Sequence, residues 1–137
     1  MTSVLLIASG LGLVAGMRTF TAPASWFLAQ GGGAGIFLAV AAVGEFVGDL
    51  LPTAPPRTSP VALVARVVSG GIVGWLVGSA RGGMGPIGAA AGVVGALAGA
   101  YGGLIVRSAA IRRIGPVPAA LAEDVVAVGL AAFLVTR

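Results

Sequence analysis

Only four carboxylates occur in the 137 residues, and they stand in two pairs, Glu45 with Asp49 and Glu123 with Asp124. Glu45 and Asp49 are four apart, so on a helix they lie one above the other on one face. Histidine, cysteine and lysine are absent. That removes imidazole and thiolate metal sites, Cys or His catalysis, Schiff-base chemistry and any P-loop lysine. Carboxylate, guanidinium, a few hydroxyls and the backbone remain. No catalytic residue, metal or cofactor is expected, and the chain does not read as an enzyme.

The residues around these acids decide what they can do. The chain is 58% hydrophobic and 9% charged, whereas soluble domains carry about 25% charged residues. It reads as one integral membrane domain over residues 1–137, with the lipid bilayer as its first partner. The net charge of +4 comes from eight arginines scattered singly among apolar runs. They form no basic stripe with interleaved aromatics, so nucleic acid is not an expected partner. A charge at mid-membrane costs roughly 2.5–3.5 kcal/mol even on lenient scales, so Glu45 and Asp49 must face a partner, a cavity or water.

Five apolar segments supply the elements, and none alternates with the period of a strand. The first runs from Ser3 to Ala29. Its opening resembles a signal-peptide core, but Met1-Thr2-Ser3 carries no basic residue and Arg18 interrupts the run, so it is read as a span. It is too long for a bilayer core of about 30 Å unless bent, and Pro23 is the expected break. Gly16-Met17-Arg18-Thr19-Phe20-Thr21-Ala22-Pro23 places a charge and two hydroxyls there, as in discontinuous helices that line transporter sites. A plain kink with Arg18 snorkelling to the headgroups is the competing reading. Further helices are expected over 36–51, 61–80, 87–106 and 119–136, separated by Gly- and Pro-rich turns.

These five spans make an all-α membrane fold with its termini on opposite sides. Arg57, Arg107, Arg112 and Arg113 lie on the N-terminal side against Arg81 and Arg137 on the other. The positive-inside rule then places the N-terminus in the cytoplasm of a bacterial inner membrane. Glu45, Asp49, Arg66, Arg107, Glu123 and Asp124 fall in one half of the membrane, with Arg18 and Thr19 at the first break. These eight are the candidate ion- or substrate-binding residues. Arg18-Thr19 followed by Glu45/Asp49, and Arg107-Ser108 followed by Glu123/Asp124, also suggest an inverted repeat between the first and fourth spans.

Gly70, Gly74 and Gly78 recur every four residues, as do Gly95, Gly99 and Gly103. Such strips let helices approach closely, and here they predict packing of the third span on the fourth or a homo-oligomer interface. Gly83-Met84-Gly85-Pro86-Ile87-Gly88 matches a dinucleotide-binding pattern by letter only, without its strand or ribose ligand. Trp26 fits an interfacial anchor, and Trp75 fits internal packing.

The motifs Gly16-Met17-Arg18-Thr19-Phe20-Thr21-Ala22-Pro23, Glu45-Phe46-Val47-Gly48-Asp49-Leu50-Leu51-Pro52, Pro56-Arg57-Thr58 and Glu123-Asp124 together resemble a family of small bacterial multi-pass membrane proteins catalogued as a domain of unknown function. The resemblance spans most of the chain. It implies an all-helical membrane fold and supplies no activity. Leu50 and Leu51 stand where the family pattern implies a basic residue. Two functions follow from the residues themselves. One is transport of an ion or small solute, proton-coupled through the buried acids. The other is a structural or accessory subunit whose charges only pin helices together.

Overall fold

In the computed structural model, which describes residues 1–56 and 58–137, the chain forms six helices. They are α1 (Thr2–Met17), α2 (Thr21–Ala29), α3 (Gly33–Gly48), α4 (Pro60–Ala80), α5 (Gly85–Ile114) and α6 (Pro116–Val135). No strand occurs among the described residues. Arg57, counted above for orientation, lies outside them. Three helices are long and apolar enough to cross a membrane, α4 with 21 residues, α5 with 30 and α6 with 20. That is fewer than the five expected, because α1 and α3 have only 16 residues each.

The first segment breaks earlier than Pro23. Arg18 is extended at the end of α1, and α2 starts at Thr21. Pro23 therefore sits in the first turn of α2, where a missing N–H costs nothing because that donor has no helical partner. Instead of continuing outward, α2 turns back alongside α1. Its Trp26 joins Val4, Leu11, Val73, Val77 and Ala131 in one buried cluster. After the turn at Gly31, which adopts a positive φ of 73°, α3 runs antiparallel to α2 and packs on it, with Gly35 against Phe27 and Leu28. The two form a hairpin that begins and ends at the level of the α1 C-terminus.

Backbone contact fixes the remaining directions. Gly12 meets Gly92 and Gly16 meets Ala96 and Ala100, so α1 and α5 run parallel. Gly70 meets Gly92, Gly74 meets Gly88 and Gly78 meets Met84, so α4 runs antiparallel to both. A Cβ on Gly70, Gly74 or Gly78 would crowd a facing backbone carbonyl. The glycine strip of α4 therefore packs on α5 as expected, but through Gly88 and Gly92. Gly95 and Gly99 instead face α1, at Ser9 and Leu13. Because α1 and α5 are parallel, the antiparallel relation that an inverted repeat between them requires is not present.

Gly115, at φ 88°, is both the end of α5 and the start of α6, a corner only glycine turns without strain. Beyond it α6 returns antiparallel to α1, with Leu134 against Gly10 and Asp124 beside Arg18. Both termini thus lie at one end of the bundle. The corners at 18–20, 49–56 and 115 lie at the other end. The expected separation of the termini is corrected, since α2 doubles back along α1 instead of continuing outward. The tryptophans also exchange roles. Trp26 is buried at 6% exposure, while Trp75 is 48% exposed.

Candidate functional site

A helix that stops inside an apolar bundle leaves carbonyls without partners at its C-terminus, and the next helix starts with N–H groups in the same state. At 18–20 the chain meets both problems within three residues. Arg66, one and a half turns into α4, donates from Nη1 to the carbonyls of Gly16 at 2.7 Å and Met17 at 2.6 Å. Glu45, from the last turn of α3, accepts the N–H of Thr19 at 2.9 Å and of Phe20 at 3.2 Å. Ser69, one turn beyond Arg66, donates its hydroxyl to the Thr19 carbonyl at 2.6 Å. A cation thus closes the negative end of α1 and an anion closes the positive end of α2, as the helix dipoles favour. Arg66 Nη2 also lies 3.4 Å from Glu45 Oε1.

A second set of groups is joined side chain to side chain. Arg18, completely buried, donates from Nη1 to Asp49 Oδ2 at 2.5 Å and pairs through Nη2 with Asp124. The Phe46 ring lies 5.1 Å from its guanidinium carbon, a cation–π contact. Arg107 donates from Nη1 to Asp49 Oδ2 at 3.1 Å and to Glu123 Oε2 at 3.3 Å. The sequence Asp124, Arg18, Asp49, Arg107, Glu123 is therefore one continuous ionic chain across α6, α1, the end of α3, α5 and back to α6. Among the described residues, Glu45, Asp49, Glu123 and Asp124 meet Arg18, Arg66 and Arg107 in this region.

All eight sequence-predicted residues converge here, Thr19 through its backbone rather than its hydroxyl. Two contributors were missed, Ser69 and Phe46. Each had a readable signal. Ser69 stands three residues from Arg66 and Phe46 one residue from Glu45, and helical spacing puts Ser69 on the Arg66 face.

The outer part of the ionic chain borders two cavities. One, of about 280 Å³, lies under the Pro55-Pro56 segment and is lined by Asp49, Arg107 and Ser108. The other, of about 400 Å³, lies between α1, α5 and α6, and apart from Arg107 and Glu123 its walls are apolar. Arg107 lines both. The Asp49 side chain is 23% exposed, against 0% for Arg18. Among the described residues no cluster of acids suits a metal ion.

The chain matches no protein-family model, no curated protein and no solved structure. The resemblance to the uncharacterised membrane family rests on the motifs alone.

Proposed function

We propose that the protein is an integral membrane transporter that moves an ion or small solute past the Asp49–Arg107–Glu123 bridge. The observation that carries this reading is the position of Arg107 on the boundary of two cavities. A passing charge would meet exchangeable ion-pair partners there instead of bare hydrocarbon, which lowers the cost of a charge at membrane depth. The doubled-back α2–α3 hairpin supports it further, since irregular backbone at depth is tolerated where it is buried in protein or lines a cavity. Protons are the first cargo to test. In proteoliposomes with an internal pH dye and an imposed potassium diffusion potential, wild type should acidify faster than protein-free vesicles. Asp49→Asn should return the rate to baseline. Wild-type rates equal to those of empty vesicles would remove proton movement from the proposal.

The proposed topology has α4, α5 and α6 crossing, the shorter 16-residue α1 crossing half-buried among them, and α2–α3 entering and returning from one side. Arg18, Arg66, Arg107, Arg112 and Arg113 lie toward the end that carries the corners, and Arg81 and Arg137 toward the end that carries the termini. The positive-inside rule then assigns the corner end to the cytoplasm and both termini to the outside. Reporter fusions at residues 1 and 137 should both behave as extracytoplasmic, and opposite signals would refute this topology. Four crossings are few to enclose a pathway, and the apolar outer face of α3, with Phe37 and Val40 exposed, suits lipid or a second copy of the chain.

A second reading draws on the Glu45–Arg66 pair, most of whose described contacts secure backbone at the α1–α2 break. An accessory subunit would need nothing more from its charges. It does not account for the paired cavities at Arg107.

A further inference from the structure

Helix lengths and register place the two ends of the bundle differently against a bilayer. α4, with 21 residues, is about 32 Å long and matches a hydrocarbon core of about 30 Å. α5, with 30 residues, is about 45 Å long and exceeds that core. Gly78 of α4 packs on Met84, just before α5 begins, so the two helices lie level at that turn. The excess of α5, about 14 Å, therefore projects at the corner end. It carries Arg112 and Arg113, in the last turn of α5, past the hydrocarbon edge.

Neither of these arginines is neutralised within the chain. Among the described residues, Glu45, Asp49, Glu123 and Asp124 pair with Arg18, Arg66 and Arg107, and no carboxylate reaches Arg112 or Arg113. Both are exposed, and so are Ile111, Ile114 and Val117 beside them. Gly115 alone separates α5 from α6, so this corner presents the cations and the apolar side chains together. The α5 dipole accounts for cations in the last turn, but not for exposed isoleucine and valine next to them. Water suits only half of such a surface. A headgroup layer suits both halves, because flexible arginine stems reach phosphates while apolar side chains meet the acyl boundary. The opposite end is unlike it, since Arg81 and Arg137 belong to separate segments and Arg137 lies over the Phe133 ring at 4.5 Å.

We infer that the α5–α6 corner binds the headgroups of anionic phospholipids, with Arg112 and Arg113 at the phosphates and Ile114 and Val117 at the acyl boundary. The inference rests on the membrane placement of α5 proposed above, and on nothing about transport or orientation. Charge complementarity selects the lipid class. Each arginine near an anionic surface adds an attraction that salt screens, whereas a zwitterionic headgroup offers no net charge to it.

The test is electron paramagnetic resonance of trace spin-labelled phosphatidylglycerol or phosphatidylcholine in phosphatidylcholine bilayers that hold the full chain. Lipid held at the protein gives a motionally restricted component. For wild type at low salt that component should favour phosphatidylglycerol by about threefold, and about 1 M salt should bring the ratio close to unity. Arg112→Gln with Arg113→Gln should remove most of the preference, and Arg112→Lys with Arg113→Lys should keep it. Neither pair is neutralised inside the chain, so both variants should unfold at the wild-type temperature. Arg81→Gln with Arg137→Gln, at the opposite end, should leave most of the preference in place. Equal restriction of the two lipids by wild type, an undiminished preference in the glutamine variant, or its loss in the lysine variant would overturn the inference. So would an equal loss on replacing Arg81 and Arg137. No restricted component with either lipid would overturn the membrane placement itself, and the inference with it.

Discussion

Glu45–Arg66 and Asp49–Arg107–Glu123 are built from the same two kinds of group, a few ångströms apart, yet they are held differently. In their described contacts Glu45 and Arg66 bond to each other and to four backbone groups at the α1–α2 break. The backbone groups they satisfy cannot move without unwinding a helix. Asp49, Arg107 and Glu123 bond to one another through side chains and border open space. Asp49 receives both Arg18 and Arg107, and Arg107 reaches both Asp49 and Glu123. A buried ion pair is weak evidence of function by itself. The contrast separates charges bonded mainly to backbone from charges bonded to one another beside open space.

The largest effect expected from breaking this contrast is at Glu45. Replacement by Gln removes the charge opposite Arg66 and turns one of the two acceptor oxygens into a donor. That donor would then face Thr19 N–H, Phe20 N–H or the guanidinium, all of them donors themselves. Breaking a buried pair in this way costs about 3–5 kcal/mol. Thermal unfolding in detergent should shift downward by on the order of 10 °C. A variant as stable as wild type would show that Glu45 is not part of the frame, and the two regions would no longer differ in kind.

How much of this was legible in the sequence depends on what sets each feature. The acids and arginines could be grouped because burying a charge is costly everywhere, so unpaired ones have few places to go. The grouping also needed the spans holding Arg66 and Arg107 to run antiparallel, and α4 and α5 do, so it survives the loss of the five-span topology. The direction of α2 was not legible. Its nine residues have the same apolar composition whether they continue outward or fold back, and hydropathy does not distinguish the two. What decides it is how Trp26 and Ala22 fill the side of α1 that α4, α5 and α6 leave open. The same limit applies to the glycine strips. Spacing by four marks a surface of close approach, and Gly95 and Gly99 do make one, but the pattern carries no information on which helix arrives. Their partner turned out to be α1. From the sequence alone Glu45 reads narrowly as a proton site ahead of a pin, and its two backbone N–H partners favour the pin instead.

The smaller effect belongs to Asp49, and it is the sharper test of the comparison. Asp49 Oδ2 receives both Arg18 and Arg107, so Asn would appear to strand two cations. Each has a second anchor, however. Arg18 keeps Asp124 and Arg107 keeps Glu123, and the Asn carbonyl still accepts from one of them. The loss is then that of weakened charge-assisted hydrogen bonds, about 1.5–3 kcal/mol at most, and partial exposure of the side chain reduces it further. Asp49→Asn should therefore fold and unfold within a few degrees of wild type while losing the proton flux assigned to the bridge. The two measurements must be made on the same preparation, since a fall in flux counts only if the unfolding temperature is retained. If instead Asp49→Asn is as damaging to stability as Glu45→Gln, the outer bridge is as structural as the inner pair. The second anchors of Arg18 and Arg107 would then not compensate, and the protein would be better described as a pinned scaffold.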